Sequence, residues 1–167
     1  GRAQATLLPN TAYYLVETKA PAGYAPRRDR IAFTTTDNGG YVTIDEQPGT
    51  ITLRIVKLDA ATNAGPQVGA SLAGAEFVCV SQSTPGWTQT LRTDESGRAT
   101  LTDVPLGTFT IYESKAPEGY LPSGDSWSYT VGADQLGDSG VVEIESRVSD
   151  IPIAFDLEIS KFKDYGN

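Results

Sequence analysis

The chain has 167 residues, enough for one or two small domains with modest cores. Its 13 Lys and Arg stand against 21 Asp and Glu, a net charge of -8, which argues against nucleic acid and against docking on anionic lipid, since both need a basic surface. There is no histidine, and no metal-ligand spacing, phosphate loop or nucleophile elbow, so no cofactor, no metal and no enzymatic reaction on an external substrate is expected.

The chain does not begin with methionine, as expected of an excised fragment or mature segment, and Gly1 opens no signal-peptide pattern. No apolar run is long enough to span a bilayer, so no membrane insertion is expected of this segment.

Taken in chain order, the local signals are those of β-structure. Tyr13 and Leu15 share one side of a short run, and Glu17 follows in phase. Asp37-Asn38-Gly39-Gly40 reads as a turn. Ile51, Leu53 and Ile55 form the apolar side of a strand over 51–58, and Lys57 is the next residue on that side. Glu76-Phe77-Val78-Cys79-Val80 is an apolar strand. Its cysteine is the only one in the chain, which excludes an intrachain disulfide. With no histidine to activate it, Cys79 reads as a buried structural thiol. Asp94-Glu95-Ser96-Gly97 is a second turn. Phe109 and Ile111 then face inward with Glu113 in phase, and in the closing strand Val142, Ile144 and Val148 are in phase with Asp150. No stretch has helical periodicity. About seven short strands in about a hundred residues is the pattern of an antiparallel sandwich.

The sequence also repeats itself. Gly1-Arg2-Ala3 recurs as Gly97-Arg98-Ala99, and the run Tyr14 to Tyr24 recurs as Thr110 to Tyr120, at a constant offset of 96 (97 − 1 and 113 − 17). A third match relates Ile51–Asp59 to Phe155–Asp164. Residues 1–49 are therefore expected to be the C-terminal half of one module, 50–152 a complete module, and 153–167 the first strand of a following one.

Lys57, Glu113 and Asp150 each extend a core-facing register within one module. Unpaired buried charges are costly, and three readings of the coincidence are open. Each side chain can sit at a strand end and reach water. The three can form a buried ionic cluster without chemistry. Or they can react: desolvation favours neutral amine and neutral acid over their ions, and an amine held against an acid carbonyl is a nucleophile beside an electrophile. Lys57 and Asp150 would then condense to an amide with loss of water, with Glu113 as the proton relay.

The segments YYLVETKAPAGY (13–24) and TIYESKAPEGY (110–120) resemble the E-box of Gram-positive pilins and adhesins. LAGAEFVCV (72–80), TDESGRATLTDVPLGTFTI (93–111) and the strand carrying Lys57 are similar to the rest of a Cna protein B-type, or SpaA-type prealbumin-like, module. The resemblance implies an all-β fold of tandem inverse immunoglobulin-like antiparallel β-sandwich modules. It further implies a spontaneous isopeptide bond between first and last strands, with Lys57 as the lysine, Asp150 in the position usually held by Asn, and Glu113 as the assisting glutamate. In the first repeat Glu17 matches Glu113 and Glu46 matches Asp150 (57 − 46 and 161 − 150 are both 11). Glutamate is one methylene longer and no attacking lysine is present, so no bond is expected there. Lys161 resembles the next module's lysine and is expected to be free.

The function implied is a structural shaft or stalk segment of a sortase-assembled pilus or cell-wall surface adhesin, extracellular and anchored at the cell surface. Its partners would be neighbouring modules of the same chain and, through sortase, other pilin subunits or the cell wall. The alternative is an adhesive module gripping a host matrix protein or glycan through its loops, with Trp87 and Trp127 as aromatic platforms. Lys19 and Lys115 share the inward parity of their E-box glutamates on paper, but each precedes Ala-Pro and is expected to be exposed.

Overall fold

A computed structural model describes residues 1–154 and 158–160 of the chain. The first segment holds β1 (Ala12–Leu15), β2 (Tyr24–Ala25), β3 (Ile31–Thr34) and β4 (Gln47–Pro48). There follow β5 (Thr50–Asp59), β6 (Glu76–Ser81), β7 (Thr88–Arg92), β8 (Arg98–Pro105), β9 (Gly107–Lys115), β10 (Tyr120–Leu121), β11 (Ser126–Val131), a 3-10 turn at Ala133–Gln135, and β12 (Val141–Pro152). Lys161 and most of the strand expected over 153–167 lie outside the described residues.

Strands β5 to β12 form two four-stranded sheets, in the orders β10-β12-β5-β8 and β11-β9-β6-β7. Their inner faces meet in one core. The first sheet contributes Ile51, Leu53, Ile55, Ala99, Val104 and Val148; the second contributes Phe77, Cys79, Leu91, Phe109, Ile111 and Val131. Alternation is the cause: β5 buries every second residue from Ile51 to Asp59, and each buried aliphatic or aromatic side chain is worth about 1.5–3 kcal/mol of transfer free energy. Phe109 and Tyr129 stack at 5.6 Å between ring centres. Cys79 is fully buried, and burial pushes its thiol up to about 11, so it is an inert packing group.

The all-β sandwich is as the alternation predicts. One ladder within it is not antiparallel: β12 runs parallel to β5, with Val148 opposite Lys57 and Asp150 opposite Asp59. Alternation of side chains is the same for either strand direction, so periodicity carries no polarity. A parallel pair needs a long crossover, and here the remaining strands of the module supply it.

In the first segment β1 pairs with β3 and β2 with β4, at the registers of their repeats. Leu15 faces Ile31 as Ile111 faces Trp127, and Tyr24 faces Pro48 as Tyr120 faces Pro152. Counterparts of β5 to β7 are absent among the described residues, and the apolar positions lie open. Leu8 is 70% exposed where its repeat Val104 is 0%, and Leu15 is 37% exposed where Ile111 is 0%.

Candidate functional site

Lys57 continues the inward face of β5 and is carried by it into the core, with 1% of the residue exposed. Its main-chain N–H donates to the Gly97 carbonyl at 2.8 Å, which fixes the strand where the lysine leaves it. The Lys57 side chain crosses between the sheets. Its Nζ lies 2.7 Å from Glu113 Oε1 and in contact with Asp150 Oδ1, and none of the three side chains is solvent-exposed. Phe77, opposite Glu113 on the β6–β9 ladder, places its ring centre 5.4 Å from Nζ. The structure thus brings together the three inward charges, although they sit on three different strands.

Among the described residues Lys57 Nζ, Glu113 Oε1 and the Asp150 carboxylate have only one another as polar partners. Taking such charges out of water is costly, and their mutual attraction offsets the cost only in part. The other oxygen of Glu113 accepts the Ser123 N–H at 3.2 Å, which orients the carboxyl. Burial pushes the Glu113 carboxyl above the ordinary glutamate range, against the opposing pull of Lys57. A carboxyl so placed is a stronger base than an exposed one and can exchange a proton with its neighbours.

A second buried acid was not singled out from the sequence. Asp59, two residues beyond Lys57 on the same face, is fully buried. It accepts the N–H groups of Ala61 at 2.7 Å and Thr62 at 3.2 Å through Oδ1, and Gln67 Nε2 at 3.2 Å and the Tyr120 hydroxyl at 2.8 Å through Oδ2. Burial opposes its charge, but the hydrogen bonds from Tyr120, Ala61, Gln67 and Thr62 outweigh that and hold its carboxyl below the usual aspartate range. Extending the phase of β5 by one more step would have found Asp59. Nothing local in the sequence points to Tyr120 as its partner.

The first repeat reproduces part of the site. Glu17 Oε2 accepts the Arg27 N–H at 2.6 Å, as Glu113 accepts Ser123 ninety-six residues later. Glu46 is half-buried with Oε2 unpartnered among the described residues, and no lysine is brought to it there. Lys19 and Lys115 are exposed, Lys115 as the last residue of β9. Trp87 and Trp127 are half-buried and pack against the core. Among the described residues no group of His, Cys, Asp and Glu could hold a metal ion.

Comparison with known proteins agrees with this architecture. The sequence matches the family of SpaA prealbumin-like fold domains over residues 1–48 and 51–146. Among solved structures, the Bacillus anthracis TIE protein is similar at a TM-score of 0.64 and 25% identity, over 87% of this chain and 26% of that one. The chain therefore spans only about a quarter of that protein. The C-terminal fragment of pilus adhesin SpaC from Lactobacillus rhamnosus GG shares the fold at a TM-score of 0.53 and 19% identity, over 92% of this chain and 80% of that one. No curated protein matches the sequence significantly. With the family match running through nearly the whole described chain, this protein belongs to the SpaA family of prealbumin-like fold domains.

Proposed function

We propose that this chain is a shaft segment of a Gram-positive pilus or cell-wall surface adhesin, and that residues 50–152 form a module clamped by an amide between Lys57 and Asp150. In this reading residues 1–49 end a preceding module and 153–167 begin the next. The work of the segment is mechanical, outside the cell, with neighbouring modules and sortase-joined subunits or cell wall as partners. The observation that carries it is the solvent-free contact of the Lys57 amine with both carboxyls, between the first and last strands of one module.

The chemistry balances without oxidant, metal or cofactor. Transfer of a proton from the ammonium of Lys57 to a carboxylate removes both charges from a pocket that solvates neither. The amine Nζ then attacks Cγ of Asp150, forming the C–N bond. Glu113, within reach of Nζ, takes the proton released from nitrogen and returns it to the departing oxygen, so that the C–O bond breaks and one water leaves.

Such a link sets the path of force. Tension entering at Thr50 runs along β5 to Lys57, crosses the amide, and leaves through Asp150 to Pro152. The strands between lie off that path. Forced unfolding is governed by rates, and a covalent path removes the step in which β5 and β12 shear apart.

Intact-mass spectrometry tests the proposal. The purified chain should weigh one water less than its sequence, and Glu113→Ala or Asp150→Ala should restore the full mass. A wild-type chain of full sequence mass, with Lys57 open to acylation, overturns it.

A further inference from the structure

Beside the reacting groups lies a polar contact that the linkage chemistry does not consume. In the first sheet β12 is flanked by β10 and β5. Tyr120 on β10 and Asp59 on β5 nevertheless meet, hydroxyl to carboxylate, at 2.8 Å. Tyr120 is opposite Pro152 and Asp59 is opposite Asp150 in their ladders with β12. The hydrogen bond therefore spans the inner face of β12 where Asp150 projects. Both residues are buried, Tyr120 at 5% exposure. The Asp150 main chain is tied to the same place, because the Ala60 N–H donates to its carbonyl at 2.9 Å.

We propose that Asp59 and Tyr120 are positioning residues for the Lys57–Asp150 linkage, forming a strap over β12 that holds the Asp150 carboxyl against the lysine amine. The proposal rests on the linkage reading above. Its reasons are geometric. The strand β10 is a two-residue edge element, held beside β12 by its short ladder and by the Ile153 N–H on the Gly119 carbonyl at 2.8 Å, and the strap adds a side-chain tie from it to β5. The strap closes the edge of the pocket against water and removes freedom from the acid, both of which raise the effective concentration of the reacting pair.

Asp59 is also kept out of the reaction. Its two oxygens are occupied by four donors, which favours the carboxylate, a poor electrophile. Asp150, by contrast, has only the Lys57 amine against Oδ1 among the described residues. The first repeat provides an internal comparison. Tyr24, the repeat of Tyr120, is 40% exposed, with no counterpart of β5 against it among the described residues, so the buried tyrosine belongs to the assembled site and not to the E-box alone.

The test follows linkage and folding separately. The full chain, assembled by chemical ligation in denaturant so that it starts unlinked, is refolded by dilution. Tryptophan fluorescence reports folding, and intact mass reports loss of water. For Tyr120→Phe, folding should proceed at the wild-type rate while linkage slows about tenfold or more, the effect of one lost hydrogen bond on placement. Asp59→Ala should slow linkage further, and Asp59→Asn, which keeps one acceptor oxygen, should recover part of the rate. If Asp59→Ala does not fold, Tyr120→Phe decides. Variants that fold and link as fast as wild type overturn this proposal alone. A wild-type chain that folds and never loses water overturns the linkage reading and this proposal with it.

Discussion

Asp59 and Asp150 stand opposite each other in the parallel ladder of β5 and β12, both fully buried, yet one is ringed by four hydrogen-bond donors and the other meets the Lys57 amine alone among the described residues. The same side chain is thereby given two chemistries a few ångströms apart. Donors stabilise the anion of Asp59, which serves as a structural acceptor. Asp150 has the Lys57 amine as its partner instead, the contact from which the proposed linkage would form.

Loss of the link should weaken the module at equilibrium. The proposed amide would close a loop of 93 residues (150 − 57), for which loop closure in the unfolded chain amounts to about 4–5 kcal/mol. Glu113→Gln keeps the shape of the relay and removes its acidity, so this variant should remain unlinked and unfold at a lower urea concentration. Equal midpoints for wild type and Glu113→Gln would argue that no clamp exists.

Phe77 supports the site by packing. It is fully buried, lies under the Lys57 amine and faces Glu113 across the ladder. Phe77→Ala should cost about 3–5 kcal/mol in denaturant unfolding through the cavity it leaves. Water entering that cavity should also restore the charges on the amine and acid, and the mass deficit should shrink although all three reacting residues are intact. A full deficit in a destabilised Phe77→Ala chain would show that dryness is not required.

Acid should undo the Asp59 contacts in a definite window. Its folded value lies below the ordinary 3.8, so as pH falls through that range the unfolded chain binds a proton before the folded one does, and stability drops. The contribution is fully present above the unfolded value and disappears as pH passes down through the folded one. The difference in urea midpoint between wild type and Asp59→Asn should therefore be constant near neutrality and shrink below about 3.8. A difference that grows on acidification would reverse the assignment.

Gly97 fixes the entry to the site by its backbone. It sits at φ +72, and an added Cβ would lie 3.1 Å from the Leu72 Cβ and 3.3 Å from the Lys57 carbonyl oxygen. Gly97→Ala should cost about 1–3 kcal/mol from the left-handed conformation and the crowding. Slowed linkage in the same variant would show that the Lys57 main chain is being displaced; an unchanged melting temperature would contradict the strain.

The sequence by itself determined the strands, the repeat and the inward phase of Lys57, Glu113 and Asp150, because alternation and a constant offset of 96 are written locally along the chain. It left three readings of the charges open, and it passed over Asp59, which carries the same phase one step further. Tertiary structure decided the rest: the parallel direction of β12 beside β5, the meeting of the Lys57 amine with carboxyls from two other strands, and the Tyr120 hydroxyl that hydrogen-bonds Asp59. The reason is physical. Periodicity tells which side of a strand a residue faces, but not which strand lies beside it, in which direction that strand runs, or which of two buried acids will find its donors.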